Sequence, residues 1–256
     1  MNTESTTPQA ATTAHRYAVY FAPSPGTLGW LAGSHWLGRC AAQLRPLPQL
    51  DIHGVAPADL QRLTAAPRRH GWHATLKAPF ALAPGTDWLT LHHAVQQVAR
   101  RLTPFTMPPM QVQRIDDFLA LVPMPSHPAN AAINAAAAAC VTQLQPLAAR
   151  PSGDELAQRR AAEEFRFHMP LTGPLSLVDE GTQALVLDAA QQFFSDLPTL
   201  QFNQLALFAE PTPGADFVLL DHLELLIRHG LLQSPDAVQL EPVEGLRHLS
   251  PSKVYE

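Results

Sequence analysis

Two short stretches of this chain hold side chains that can move protons and grip an anion. In "HATLK", an extended strand would present His73, Thr75 and Lys77 on one face and send Ala74 and Leu76 to the other. In "FRFHMPLTG" (165 to 173), the same period sets Arg166, His168, Pro170 and Thr172 against an apolar face of Phe165, Phe167, Met169 and Leu171. Two such strands facing each other across a cleft would bring two imidazoles to one phosphate. Phosphodiester hydrolysis needs a base to activate water and an acid to protonate the leaving oxygen, and histidine, with an ordinary pKa of about 6.5, serves as either. Hydroxyl, ammonium and guanidinium donors would hold the phosphoryl oxygens without a metal.

Spacing alone also fits two unrelated strand histidines. A further His-x-Ser triplet, His248-Leu249-Ser250, stands near the C-terminus, so the pattern by itself is common. Lys77 sets the first stretch apart, because only Lys77 and Lys253 are lysines among 17 Lys+Arg. His92 and His93 fall on the exposed side of an expected helix, His15, His229 and His248 lie in or near the termini, and His35, His53, His70 and His127 sit in polar or turn contexts; these read as solvated or structural.

"HATLK" and "FHMPLTG", 95 positions apart, resemble the two signature strands of the two-histidine phosphoesterase superfamily, whose motifs read His, apolar, Thr or Ser, apolar. "RYAVYFAP", "PRRHGWHATLKAPFAL", "FLALVP" and "EEFRFHMPLTGPL" resemble the branch of phosphonate-metabolism proteins associated with carbon-phosphorus lyase operons, over about residues 16 to 223. The resemblance implies a bilobed α+β fold, two pseudo-symmetric lobes of mainly antiparallel sheet with helices outside and a cleft between. It implies hydrolysis of a cyclic phosphodiester, with His73 and His168 as the acid/base pair and Thr75 on the phosphoryl oxygens. Lys77, Arg166 and Thr172 join the phosphate-binding set on same-face geometry. Where the second motif expects Thr or Ser, this chain has Pro170, which offers neither a hydroxyl nor an N–H. The link before residue 163 is also shorter than the resemblance leads one to expect. These departures leave a second reading, a weakened or non-catalytic phosphate or nucleotide binder of the same fold.

The elements that must position these residues follow from periodicity and turn residues. Strands are expected over 15–23, 72–82 and 165–172, and helices over 26–44, 87–102 (Asp87 as N-cap), 126–149 (Ser126 as cap) and 178–195. Residues 109–124 fit a hairpin turning at Asp116-Asp117, and a second strand pair surrounds "PTPGA". Residues 45–71 read as a polar connection with one helical turn near Asp59. A helix flanked by strands and then a hairpin recurs in each half, giving an α+β plan over 15–227 between tails at 1–14 and 228–256.

At 256 residues with 46% hydrophobic content the chain can bury a sizeable core. Its net charge of -5 supplies no global field for nucleic acid or membrane, so a small phosphate ester or terminal cyclic phosphate is the expected partner, with no extended nucleic-acid binding. Cys40 and Cys140 form no metal-spaced motif, so no metal or other cofactor is expected and both read as buried thiols. No run approaches a membrane span and the N-terminus has no signal-peptide pattern, which makes the cytoplasm the expected compartment.

Overall fold

The computed structural model describes residues 14–150 and 165–226; the expected tails and the charged link 150–164 lie almost entirely outside them. The fold is α+β. Strand β1 (Arg16–Phe21) is buried from Tyr17 onward, because both of its faces are covered. It pairs antiparallel with β4 (Ala74–Phe80) on one side and β10 (Gln204–Glu210) on the other, and β11 (Val218–Glu224) completes a four-stranded sheet in the order β11-β10-β1-β4. A second antiparallel sheet has the order β6-β7-β8, from Met110–Ile115, Phe118–Pro123 and Met169–Pro170. Two-residue pairs join β2 (Arg39–Cys40) to β3 (Arg45–Pro46) and β5 (Phe105–Thr106) to β9 (Gln201–Phe202).

Each main sheet takes strands from both halves of the chain. The early strands β1 and β4 receive the late hairpin β10–β11, while the early hairpin β6–β7 receives the late strand β8. One hydrophobic cluster runs through both sheets, from Val19 and Phe21 through Leu76 to Leu119, Leu121, Met169 and Leu171. Helices α3 (Trp88–Ala99) and α4 (Ala129–Leu144) pack on each other; α3 also covers β10 and β11, and α4 covers β4. Helix α5 (Glu180–Phe194) packs on β6, and α1 (Leu28–Leu37) on α2 (Pro57–His70). A smaller cluster of Ala18, Tyr20, Trp30, Phe208 and Phe217 fills the opposite face of the four-stranded sheet.

Helix α2 replaces the polar connection expected over 45–71. Its buried residues, Leu60, Leu63, Thr64 and Pro67, have helical i, i+3, i+4, i+7 spacing, but a threonine and a proline hold two of the four places and hide the stripe. Pro67 lacks the N–H that would bond the Leu63 carbonyl. The Gly173 N–H supplies it from outside, at 2.6 Å, and ties the end of the second histidine strand to α2. Asp87 caps α3 as expected, its carboxylate accepting from the Thr90 N–H at 2.8 Å. Ser126 does not cap α4: it takes a left-handed φ of 61°, the helix begins after Pro128, and the Ala129 N–H bonds the His127 ring at 3.2 Å.

Candidate functional site

His73 immediately precedes β4, at the edge of the four-stranded sheet, and His168 immediately precedes β8, at the edge of the other. The alternation expected of both strands holds around the histidines. Ala74 and Leu76 are buried in the main cluster, while Thr75 lies across from Tyr20 on the other face. Phe167, Met169 and Leu171 are buried, whereas His168 and Pro170 are half-buried. The ladder is shorter than the expected strand 165–172, with only Met169 and Pro170 paired to β7, and Phe165, expected inside, is exposed.

The two imidazoles are held in the same way. His73 Nδ1 bonds the carbonyl of Gly71 at 2.9 Å, and His168 Nδ1 bonds the carbonyl of Arg166 at 2.7 Å, each two residues back. A carbonyl only accepts, so Nδ1 carries the proton in both rings and Nε2 is left to act on something else. The rings lie near enough that the charge of His168 contributes to lowering the His73 pKa. Their surroundings differ. His73 is 5% exposed, packed 4.0 Å from the Tyr20 ring and 5.5 Å from the His70 ring between centroids. Burial first, and then the charge of His70, push its pKa down to about 3 against the pull of the Gly71 carbonyl. His168 is half-buried against Phe118, 5.6 Å between ring centroids.

Thr75 is half-buried, and its hydroxyl has no hydrogen-bond partner among the described residues. Arg166 is exposed beside His168, which its own carbonyl holds. Two other expected phosphate ligands are placed differently. Lys77 is on the wrong face. Pairing steps from Tyr20↔Thr75 to Val19↔Lys77, one residue on β1 against two on β4, and this bulge turns Lys77 toward the side of Leu76. There it is 5% exposed, donates to Gln145 Oε1 at 3.1 Å and lies 4.7 Å from the centre of the Phe80 ring. Its charge opposes, without outweighing, the burial that drives the Cys140 thiol up to about 12. Thr172 is 2% exposed, and its hydroxyl accepts the Leu119 N–H at 2.9 Å, so it braces β7 instead of facing a ligand.

Pro170 fits its strand for a backbone reason. Leu171 N bonds Leu119 O, so Pro170, one residue away, would direct its nitrogen to the open edge of the sheet, where a missing N–H breaks no ladder bond. His70, expected to be solvated or structural, and Tyr20, given no role by the sequence pattern, lie beside His73. His70 Nδ1 and the Tyr20 hydroxyl are 3.0 Å apart, and burial, with the charges of Arg69 and Arg16, lowers the His70 pKa to about 4. The one available signal was the spacing in "HGWH", which puts a second imidazole three residues before His73. An apolar groove of about 550 Å³ between α1 and α5, lined by Leu28, Leu31, Phe193 and Leu197, includes neither site histidine.

A family model described as "Protein of unknown function (DUF1045)" matches residues 75–163 and 161–218. The chain is 35% identical over 225 residues to a protein of Janthinobacterium sp. (strain Marseille) named "Ribose 1,5-bisphosphate phosphokinase PhnN", covering 79% of this chain and 49% of that one. It is 36% identical over 244 residues to a protein of the same name from Laribacter hongkongensis (strain HLHK9), covering 90% of this chain and 57% of that one. The chain thus spans about half the length of the curated relatives it matches. No helix among the described residues is long and apolar enough to cross a membrane.

Proposed function

We propose that this chain, which belongs to the family described as DUF1045, is a phosphoesterase that hydrolyses a cyclic phosphodiester; its paired histidines support the chemistry, and its relatives support a role in phosphonate metabolism. The observation that carries the proposal is the shared anchoring of His73 and His168, each with Nδ1 on the carbonyl two residues back and Nε2 left over. In the reaction, neutral His73 takes a proton from water through Nε2 as the water oxygen bonds phosphorus. One ring P–O bond breaks, and protonated His168 delivers its Nε2 proton to the leaving oxygen. Solvent then takes the proton from His73 and gives one to His168, which restores both rings. Burial of His73 favours the neutral ring a base needs, while His168 lies nearer water. Thr75 and Arg166 hold the phosphoryl oxygens as their charge develops.

The substrate proposed is a ribose 5-phosphate carrying a 1,2-cyclic phosphate. Release of the O2 oxygen from that ring leaves phosphate on O1 and yields ribose 1,5-bisphosphate, the compound in the names of both relatives. A second reading, a phosphate or nucleotide binder without efficient chemistry, is favoured by Pro170, because the second strand offers no hydroxyl beside its histidine and Thr172 is committed to Leu119. One assay separates them. Wild type, His73→Ala and His168→Ala are given ribose cyclic phosphates and 2',3'-cyclic nucleotides, with and without chelator. The enzyme reading expects chelator-insensitive turnover with a bell-shaped pH profile, lost in both variants. Binding of these compounds without turnover by wild type supports the second reading.

A further inference from the structure

The buried group beneath the site goes unused in that mechanism. His70 ends α2, three residues before His73, and its ring stacks on His73 at 5.5 Å and 28°. On its other flank lies Phe217, 4.6 Å away at 20°, so Phe217, His70 and His73 form a column of near-parallel rings. Tyr20 closes the column from β1: its ring is 4.0 Å from His73, and its hydroxyl meets His70 Nδ1 at 3.0 Å. Tyr20 is fully buried, which holds its phenol neutral and pushes its pKa far above the usual value. Its proton stays available to that bond.

We infer that His70, fixed by the Tyr20 hydroxyl, is a positioning residue that sets the plane of the His73 imidazole and the orientation of its free Nε2. This rests on the proposed use of His73 as a base. A hydrogen bond at Nδ1 alone fixes one point of the ring, and rotation about the line to the Gly71 carbonyl would still swing Nε2. Stacking against His70 from one side and Tyr20 from another removes that freedom. The column is also an electrostatic unit. Arg69 on α2, Arg16 on β1, Glu210 on β10 and Asp216 ahead of β11 act on His70, whereas His70 and His168 act on His73. A proton placed on His70 disfavours a second on His73.

Two variants test this. Tyr20→Phe keeps the ring against His73 and removes only the hydroxyl, and His70→Asn removes the stacked imidazole. Each is expected to lower kcat roughly tenfold or more with KM changed by no more than about twofold, as for a displaced base. In His70→Asn the acid limb of the pH profile moves to higher pH, and imidazole ¹⁵N NMR shows the His73 titration midpoint rising with it. If both variants keep the wild-type kcat, or if kcat falls while the His73 midpoint and the acid limb stay in place, the inference is overturned and the column is mere packing. The NMR arm needs no substrate. Failure of the phosphoesterase reading would appear separately, as absence of turnover by wild type, and failure of His73 as its base as full turnover in His73→Ala.

Discussion

At the scale of single residues, the two positions that could set a hydroxyl beside His168, 170 and 172, separate cleanly. Thr172 shared a face with His168 in the sequence pattern, yet its oxygen accepts the Leu119 N–H in a buried setting. Thr172→Val therefore should cost about 1 to 3 kcal/mol of stability by leaving that N–H unpaired, with kcat/KM for the substrate nearly unchanged; chemical denaturation beside kinetics checks both. Pro170→Thr should raise turnover of cyclic phosphodiesters, because it returns a donor to a half-buried position two residues from His168 without breaking a ladder bond. Unchanged turnover would mean that the substrate never reaches that position. The alternation around His168 was legible because the buried Phe167, Met169 and Leu171 are apolar at every second place. The fate of the Thr172 hydroxyl was not, since its partner lies 53 residues away in sequence.

At the scale of elements, the bulge in β4 decides which residues share the site. Period-two reasoning assumes an unbroken ladder, and the slip between Thr75 and Lys77 is set by pairing with β1, which no local pattern encodes. Lys77→Met is accordingly expected to leave kcat within about threefold of wild type and to show its effect in stability, through loss of the Gln145 bond and the Phe80 contact. A loss of turnover as large as in His73→Ala would place the lysine back in the mechanism. Strands β1, β4, β10 and β11, the hairpin at Asp116-Asp117 and helices α3 and α5 were readable from periodicity and caps. Helix α2 was not, because Pro67 is a helix breaker by propensity, and the carbonyl it frees is bonded by Gly173 from a distant part of the chain. Thus the element that carries His70 was hidden by the same proline that links it to the second histidine strand.

At the scale of the whole molecule, the buried imidazoles couple stability to pH. In the folded chain His70 and His73 titrate at about 4 and about 3, below the ordinary histidine value of about 6.5 expected when unfolded. Above about 6.5 neither state holds these protons and stability is complete. As pH falls from there toward 4, the unfolded chain gains protons that the folded chain refuses, so stability declines by up to about 1.4 kcal/mol per pH unit for each histidine. Denaturation midpoints measured between pH 7 and 4.5 should fall accordingly, and a His70→Asn, His73→Asn double variant should flatten the slope. The exchange of strands between the sheets has a consequence for synthesis. β1 is hydrogen-bonded to β10, about 190 positions later, and among the described residues β4 pairs in its sheet with β1 alone. On the ribosome, the edge strand bearing Thr75 is therefore held only by an incomplete sheet until Val218–Glu224 has emerged. Nascent chains stopped before that point would carry His73 and His168 and still lack the complete four-stranded sheet, which makes late strand capture the slow, non-local step of folding.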